Sequence, residues 1–512
     1  MGADQLREPH GGTIVNGTAG NSMPQGFQHP MGVEEFRKHG KEMVDFICDY
    51  HANHLQEAPV RSNVEVDYLR RCVPASAPEE GEDFNAVLTD VQRTVLPGVT
   101  HWQSPNFFAY FPANSSYPAM LGDMLSSAFN VIGFSWISSP ACTELEAVVL
   151  DWLAKLLDLP PAFLTVGPDN TKGTGGGVIQ GTASEATLVA LLAARAQKLK
   201  GRDAADALKL VAYTSDQAHS CVMKACMIAG IQHVRVLPTS AQHDWALQSQ
   251  VLQEALEQDE QQGLLPFFLC ATAGTTSSCA IDSLELLGTL ARQHSLWMHV
   301  DAAYAGVAAI CPEHRQAHEG LHLAHSFATN AHKWLLTNFD CCCLWVADAE
   351  PLKAALSLTP VFLRAKGNAL DYKDWQVPLG RRFRSLKLWF VLRCYGQRKL
   401  QEYIRHHIAL ATSFAARVRS HPAFEIMAPP RFGLVCFALK GQGNEVNKAL
   451  LESLNQTGRV FLVGTELGGR FTLRMAIGSA TTQAHHVEAA WQLICQHAEQ
   501  MLANGQHSSI AN

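Results

Sequence analysis

Trp297 to Val300, followed by Asp301-Ala302-Ala303-Tyr304-Ala305-Gly306, reads as a short apolar strand that ends on a carboxylate. Downstream comes Asn330-Ala331-His332-Lys333-Trp334. Upstream, Thr174-Gly175-Gly176-Gly177-Val178-Ile179-Gln180-Gly181-Thr182-Ala183-Ser184-Glu185-Ala186 reads as a glycine-rich turn leading into a helix. Taken singly, a lysine is a solvated surface residue, a strand-end aspartate is a cap and a glycine run is a loop. Together they suit one chemistry. A lysine amine holds an aldehyde as a Schiff base, and a carboxylate keeps a pyridine nitrogen protonated. A helix start offers unpaired N–H groups and a positive dipole end to a phosphate. The combination reads as a pyridoxal 5'-phosphate site on Lys333 and Asp301. His219, in Ser215-Asp216-Gln217-Ala218-His219-Ser220, follows a strand and is placed to stack on the cofactor ring.

The surrounding pattern predicts the fold. Lys209 to Tyr213, Val234 to Val236, Pro266 to Ala271 and Trp297 to Val300 are short strands, and helices are expected at Thr143 to Leu157 and Glu185 to Leu199. Such alternation gives an α/β fold with a mostly parallel sheet, its ligands at the carboxyl ends of the strands. After Arg382 a long helical pattern runs toward Gln401, then strands such as Gly433 to Leu439 and Arg470 to Ala476 mix with helices in a small α+β domain. The expected organisation is a disordered leader (1–28), a helical N-terminal dimerisation segment (29–115), a large cofactor-binding domain (116–390) and a small C-terminal domain (391–512). The apolar positions Phe36, Met43, Phe46, Ile47 and Tyr50 cannot bury themselves within so short a helical segment, which points to a homodimer.

Composition narrows the partners. The chain has 512 residues, 47% hydrophobic and 17% charged, so it can bury a large core. A net charge of -7 leaves no basic footprint for nucleic acid or anionic membrane. Fourteen cysteines in a chain of this length, with no charged and apolar signal at its start, predict reduced thiols and a cytoplasmic location. Cys341-Cys342-Cys343 lies in an apolar stretch from Phe339 to Val346 and reads as a buried strand, not a metal site.

From about Gly32 to His497 the chain resembles the aromatic L-amino acid decarboxylases, pyridoxal phosphate enzymes of the aspartate aminotransferase-like fold. The resemblance is carried by Phe107-Phe108-Ala109-Tyr110-Phe111-Pro112, Gly133-Phe134-Ser135-Trp136, Ser139 to Glu146, Ser215 to Ser220, Asn330 to Trp334 and Pro378 to Lys387. It implies that Lys333 carries the cofactor, Asp301 pairs with the pyridine nitrogen and His219 stacks on the ring. It further implies that Ala183, Ser184, Asn330 and His332 hold the phosphate, and that Thr275 and Ala303 line the cofactor. Trp102, Tyr110, Phe111, Pro112 and Phe134 resemble the aromatic wall of the substrate pocket, part of it contributed across the dimer. Gly380 resembles the glycine of plant relatives that tend toward indolic substrates.

One position departs from that family. Its decarboxylases carry a loop tyrosine in a Pro-x-Tyr-Leu context, and here the stretch is Thr359-Pro360-Val361-Phe362-Leu363-Arg364. A phenol, with a pKa of about 10, stays protonated at neutral pH and can return a proton to Cα after CO2 leaves. Phe362 cannot, which removes a general acid worth roughly 10²–10⁴-fold. The outcome resembles the aromatic aldehyde synthases, in which decarboxylation is coupled to oxidative deamination with O2 as co-substrate. The loop, about Leu356 to Tyr372, includes Lys366, Gly367 and Asn368 and reads as a mobile lid. Two other readings stand beside the aldehyde synthase: an amine-producing aromatic amino acid decarboxylase, and a non-catalytic cofactor-binding dimer.

Overall fold

The computed structural model describes residues 30–358 and 370–510. Seven strands form the large sheet: β1 (Gly176–Gln180), β2 (Leu210–Ser215), β3 (His233–Leu237), β4 (Leu265–Thr272), β5 (Trp297–Asp301), β6 (Ser326–Asn330) and β7 (Cys342–Val346). Their order is β1-β7-β6-β5-β4-β2-β3. β7 runs antiparallel to both neighbours, and the β2–β3, β2–β4, β4–β5 and β5–β6 pairs are parallel. The strands extend a residue or two beyond the apolar runs that predicted them. Thr214, Ser215, Thr272 and Asp301 still have ladder partners, and backbone pairing, not side-chain polarity, ends a strand.

Every residue of β5 is buried, because helices cover both faces of the sheet. Alternation sorts the side chains into two cores. Met298, Val300, Leu269, Tyr213 and Trp345 enter one. Trp297, Phe268, Cys270, Leu344 and Val346 enter the other, against Ala186, Val189, Ala190 and Ala193 of the helix Ala183–Leu199. The cysteine triplet obeys the same rule, Cys342 facing one core and Cys341 and Cys343 the other.

The glycine-rich stretch corrects its sequence reading. Gly176 and Gly177 belong to β1, not to a turn. A Cβ on Gly177 would lie 2.8 Å from Trp345 Nε1 and 3.0 Å from Leu150 Cβ, so this glycine admits a tryptophan from β7. The turn into the helix is only Gly181-Thr182, and Thr182 caps the helix by accepting from Glu185 N at 3.2 Å.

A second, antiparallel sheet has the order β10-β11-β9-β8, with β8 at Phe424–Ile426, β9 at Leu434–Leu439, β10 at Val463–Leu467 and β11 at Arg470–Ala476. The helical run Ser385–Ser420, interrupted at Gly396 (φ 64°), leads from the first sheet to the second. At the N-terminus the helix Val33–Asp49 buries none of its residues within the protomer. Among the described residues, no helix is long and apolar enough to cross a membrane.

Candidate active site

The two motifs that opened the sequence meet at adjacent strand ends. Asp301 closes β5 and Asn330 closes β6, with Lys333 in the helical turn Ala331–Trp334 that follows. The segments are zipped together. Ala302 N donates to Ala328 O at 2.9 Å, Asn330 N to Ala303 O at 3.0 Å, and Thr329 Oγ1 to Ala302 O at 2.9 Å. Below them an aromatic column stacks Phe111 on Tyr304 (3.7 Å between centroids) and Tyr304 on Trp334 (4.9 Å). Trp334 Nε1 donates to His407 Nδ1 at 3.0 Å. The tyrosine and tryptophan of the motifs thus lock the aspartate and lysine in place without touching the reaction. From the N-terminal side, Asn114 N donates to His332 O at 2.8 Å, Asn114 Nδ2 to Lys333 O, and Ser116 Oγ to Leu336 O at 2.7 Å, clamping the lysine turn.

Lys333 opens into a cleft of about 630 Å³ whose walls include Trp102, Tyr110, Phe111, His219, His332, Phe339 and Arg474. Trp102 and Tyr110 stack nearly parallel, 5.4 Å apart at 12°. The Lys333 amine lies 5.8 Å and the Arg474 guanidinium 5.1 Å from the centre of the Phe111 ring. Burial pushes the Lys333 pKa down, opposed by the Asp301 charge. A lysine so placed reaches its neutral, nucleophilic form more easily than a surface one. His219 is also lowered, first by burial and then by Lys333, with Asp301 opposing. Its Nδ1 accepts from Cys221 N at 3.1 Å, so the neutral ring carries its proton on Nε2. His332 is pushed down to about 4 by burial and Lys333. Its Nδ1 accepts from Cys341 N at 3.0 Å.

The donor set fits a pyridoxal phosphate. The Lys333 amine makes no hydrogen bond or ion pair among the described residues, leaving it free for an aldehyde. Asp301 Oδ1 is engaged by Ala303 N at 3.0 Å, which orients the carboxylate and leaves Oδ2 available. At the helix start, Glu185 takes Gly181 N at 2.9 Å and Thr182 takes Glu185 N. The N–H groups of Ala183 and Ser184 have no partner among the described residues, and they point where the helix dipole favours an anion.

Other residues expected at the site are not among those that line this cleft within the protomer. The Thr275 hydroxyl is buried and accepts from Ala280 N at 2.9 Å. Pro112 packs near Gly478. Phe134 and Gly380 do not line this cleft. Phe134 O accepts from Lys373 N at 2.9 Å, and the neighbour of Gly380 is Ile132, which is exposed. Phe362, Lys366, Gly367 and Asn368 lie outside the described residues.

The sequence reading missed Asn114, Asn338, Phe339 and Arg474, all lining the cleft. Asn114 follows closely on the aromatic stretch, but nothing local shows that it folds against Lys333. Arg474 left a signal, being a charge set between the apolar residues Leu473 and Met475 in the inner part of β11. It is buried, its Nε donates to Ser277 O at 3.2 Å, and one terminal nitrogen has no partner among the described residues.

Comparison with known proteins agrees with this geometry. Residues 67–440 match the pyridoxal-dependent decarboxylase conserved domain. The chain is 51% identical to phenylacetaldehyde synthase of Arabidopsis thaliana, over 92% of this chain and 98% of that one. It is 51% identical to the aromatic-L-amino-acid decarboxylase of Bos taurus, again over 92% and 98%. An Oryza sativa TDC solved with PLP and tryptamine superposes with a TM-score of 0.90 at 43% identity, covering 93% of this chain and 100% of that one.

Proposed function

The chain belongs to the pyridoxal-dependent decarboxylase family, as a pyridoxal phosphate enzyme of the aromatic amino acid decarboxylases, and on that footing we propose that it is an aromatic aldehyde synthase. One aromatic L-amino acid, O2 and water become the aromatic acetaldehyde, CO2, ammonia and hydrogen peroxide. The observation that carries this reading is Phe362 where amine-forming relatives hold a tyrosine.

When bound, the cofactor supplies an electron-withdrawing ring that accepts the bonding electron pair left on Cα as CO2 departs. The chain's residues do the rest. Lys333 tethers the cofactor through its amine, and Asp301 holds a proton on the pyridine nitrogen. His219 would lie against the ring, the N–H groups of Ala183 and Ser184 would hold the phosphate beside Asn330 and His332, and Ala303 and Thr275, next to the cleft residue Thr276, would flank the cofactor. Trp102, Tyr110 and Phe111 form an apolar wall that suits a phenyl, phenol or indole side chain and excludes water. Arg474, with an unpaired nitrogen, is placed to take the substrate carboxylate. Phe362 then offers no proton to Cα, which leaves time for O2.

We assign the active form to a homodimer. Phe36, Val33, Leu121, Phe129, Ile132 and Ile137 are more than half exposed in the protomer, more apolar surface than an isolated chain keeps. Phe134 and Gly380, close to that surface, belong in this arrangement to the cleft of the partner.

A second reading, an amine-forming decarboxylase, is favoured by His219, whose Nε2–H can supply a proton at the cleft wall in place of the tyrosine. One measurement separates the two. Purified protein is given L-phenylalanine, L-tyrosine or L-tryptophan under air, and amine, aldehyde and peroxide are quantified together. Aldehyde and peroxide in equal amounts support the synthase. Stoichiometric amine without peroxide overturns it and establishes the second reading.

A further inference from the structure

The histidine two residues before Asp301 has a hydrogen-bond arrangement that the cofactor chemistry described above does not use. His299 and Asp301 leave β5 on the same face, separated by about 6–7 Å of strand. The His299 ring is fully enclosed and lies nearly parallel to Phe268, 6.2 Å away at 19°. Trp297 Nε1 donates to Ser326 Oγ at 2.8 Å, and an indole N–H can only donate. The Ser326 hydroxyl has no other acceptor among the described residues, so its hydrogen goes to His299 Nδ1, also at 2.8 Å. This relay fixes the tautomer, with the ring proton on Nε2. Burial pushes the His299 pKa down to about 4, so the ring is neutral at pH 7. His299 Nε2 is buried and has no acceptor among the described residues. Leaving such a donor unpaired is costly.

The groups facing His299 are few. Cys270 stands in register on β4 and Ser326 on β6, and Asp301 is the charge whose field acts on the ring. Nδ1 is turned to Ser326, so Nε2 is the ring nitrogen left to serve Asp301, two residues along on the same face of β5. We infer that His299, its tautomer set by Trp297 and Ser326, is a positioning residue for Asp301: its Nε2–H, through one enclosed water, holds the carboxylate ionised and oriented toward the cofactor's ring nitrogen. This rests on the cofactor reading above. The chain therefore sets the strength of its pyridine-nitrogen partner from beneath, along a single strand.

The test uses holoenzyme of the wild type, His299→Leu, His299→Gln and Ser326→Ala, each checked for folding by circular dichroism. The readouts are the pH midpoint of the bound cofactor's absorbance change and the dissociation constant for pyridoxal phosphate. A weaker hold on the ring-nitrogen proton removes a positive charge near the Lys333 nitrogen, which then keeps its own proton to higher pH. His299→Leu is expected to raise the midpoint by about one unit and weaken cofactor binding by about tenfold. His299→Gln, which retains an N–H donor, should recover most of both effects, and Ser326→Ala should fall between. In an Asp301→Asn background, His299→Leu should add nothing to the midpoint shift. An unchanged midpoint in folded His299→Leu, equal losses in Leu and Gln, or a full shift in the Asp301→Asn background would each overturn the inference. A wild type with no cofactor absorbance at all would instead remove the cofactor reading.

Discussion

Glu146 and Arg381 form an ion pair whose side chains are both completely buried, and its disruption gives a quantitative test of how the segment following residues 359–369 is held. Glu146 Oε1 also accepts from Ile179 N of β1 at 2.8 Å. Arg381 NH1 donates to Gln376 Oε1 at 2.7 Å, and the guanidinium lies 4.6 Å from the centre of the Tyr372 ring. One pair therefore ties the helix Pro140–Leu156, β1 and the segment 372–381 together. Removing one partner of a buried pair strands the other charge, at a cost of about 3–5 kcal/mol. In Glu146→Ala the Ile179 N–H is stranded too, which adds about 1–3 kcal/mol. Glu146→Gln keeps an acceptor for Ile179 and Arg381 and should cost about half as much as the alanine variant. Arg381→Met with Glu146→Leu removes both charges and should be less destabilised than either single charge deletion. Urea unfolding of the wild type, Glu146→Leu, Arg381→Met and the double variant, run as a double-mutant cycle, gives the coupling directly. Single losses below about 1 kcal/mol that simply add would refute the argument, because they would mean that water reaches the pair.

Four further outcomes are expected. Lys333→Ala should lose the absorbance of lysine-linked cofactor and all turnover, as judged by a spectrum after gel filtration. Phe362→Tyr should shift product from aldehyde and peroxide toward amine, by roughly 10²-fold in ratio if the restored phenol acts as a general acid; an unchanged ratio would acquit the position. Burial holds His299, His318, His325 and His332 down at about 4 and His407 at about 3. These rings are neutral when folded but charge below about 6.5 when unfolded, so stability is full above that pH and falls as pH drops from about 6.5 toward 4, with proton uptake on unfolding. A urea midpoint that stays flat across that window would contradict it. Replacing Val33, Phe36 and Val44 together by serine should convert a dimer to monomer in sedimentation velocity, since these exposed apolar groups have no cover within the protomer.

The residue kinds at Asp301, Lys333 and His219, and the alternation of strand and helix around them, were legible without coordinates. A strand buried on both faces must be apolar throughout, and a charged residue at its end marks where the apolar requirement stops. The core helices and the strands β2 to β5, β7, β9 and β11 were readable for the same reason, because periodicity records which face is buried. The role of the glycines was not. Gly177 is small because Trp345, far along the chain, needs the space, and no local pattern carries that information. Asn114 was likewise invisible as a site residue, and the charge of Arg474 within a strand did not show which site it serves, since each reaches the cleft only after distant segments pack. The sequence alone determined which chemistry the chain can perform, since reactivity belongs to residue types at strand ends. The tertiary structure alone decided which groups surround the lysine, how far burial lowers its pKa and which donors remain unpaired, because burial and field depend on neighbours that the chain order does not adjoin.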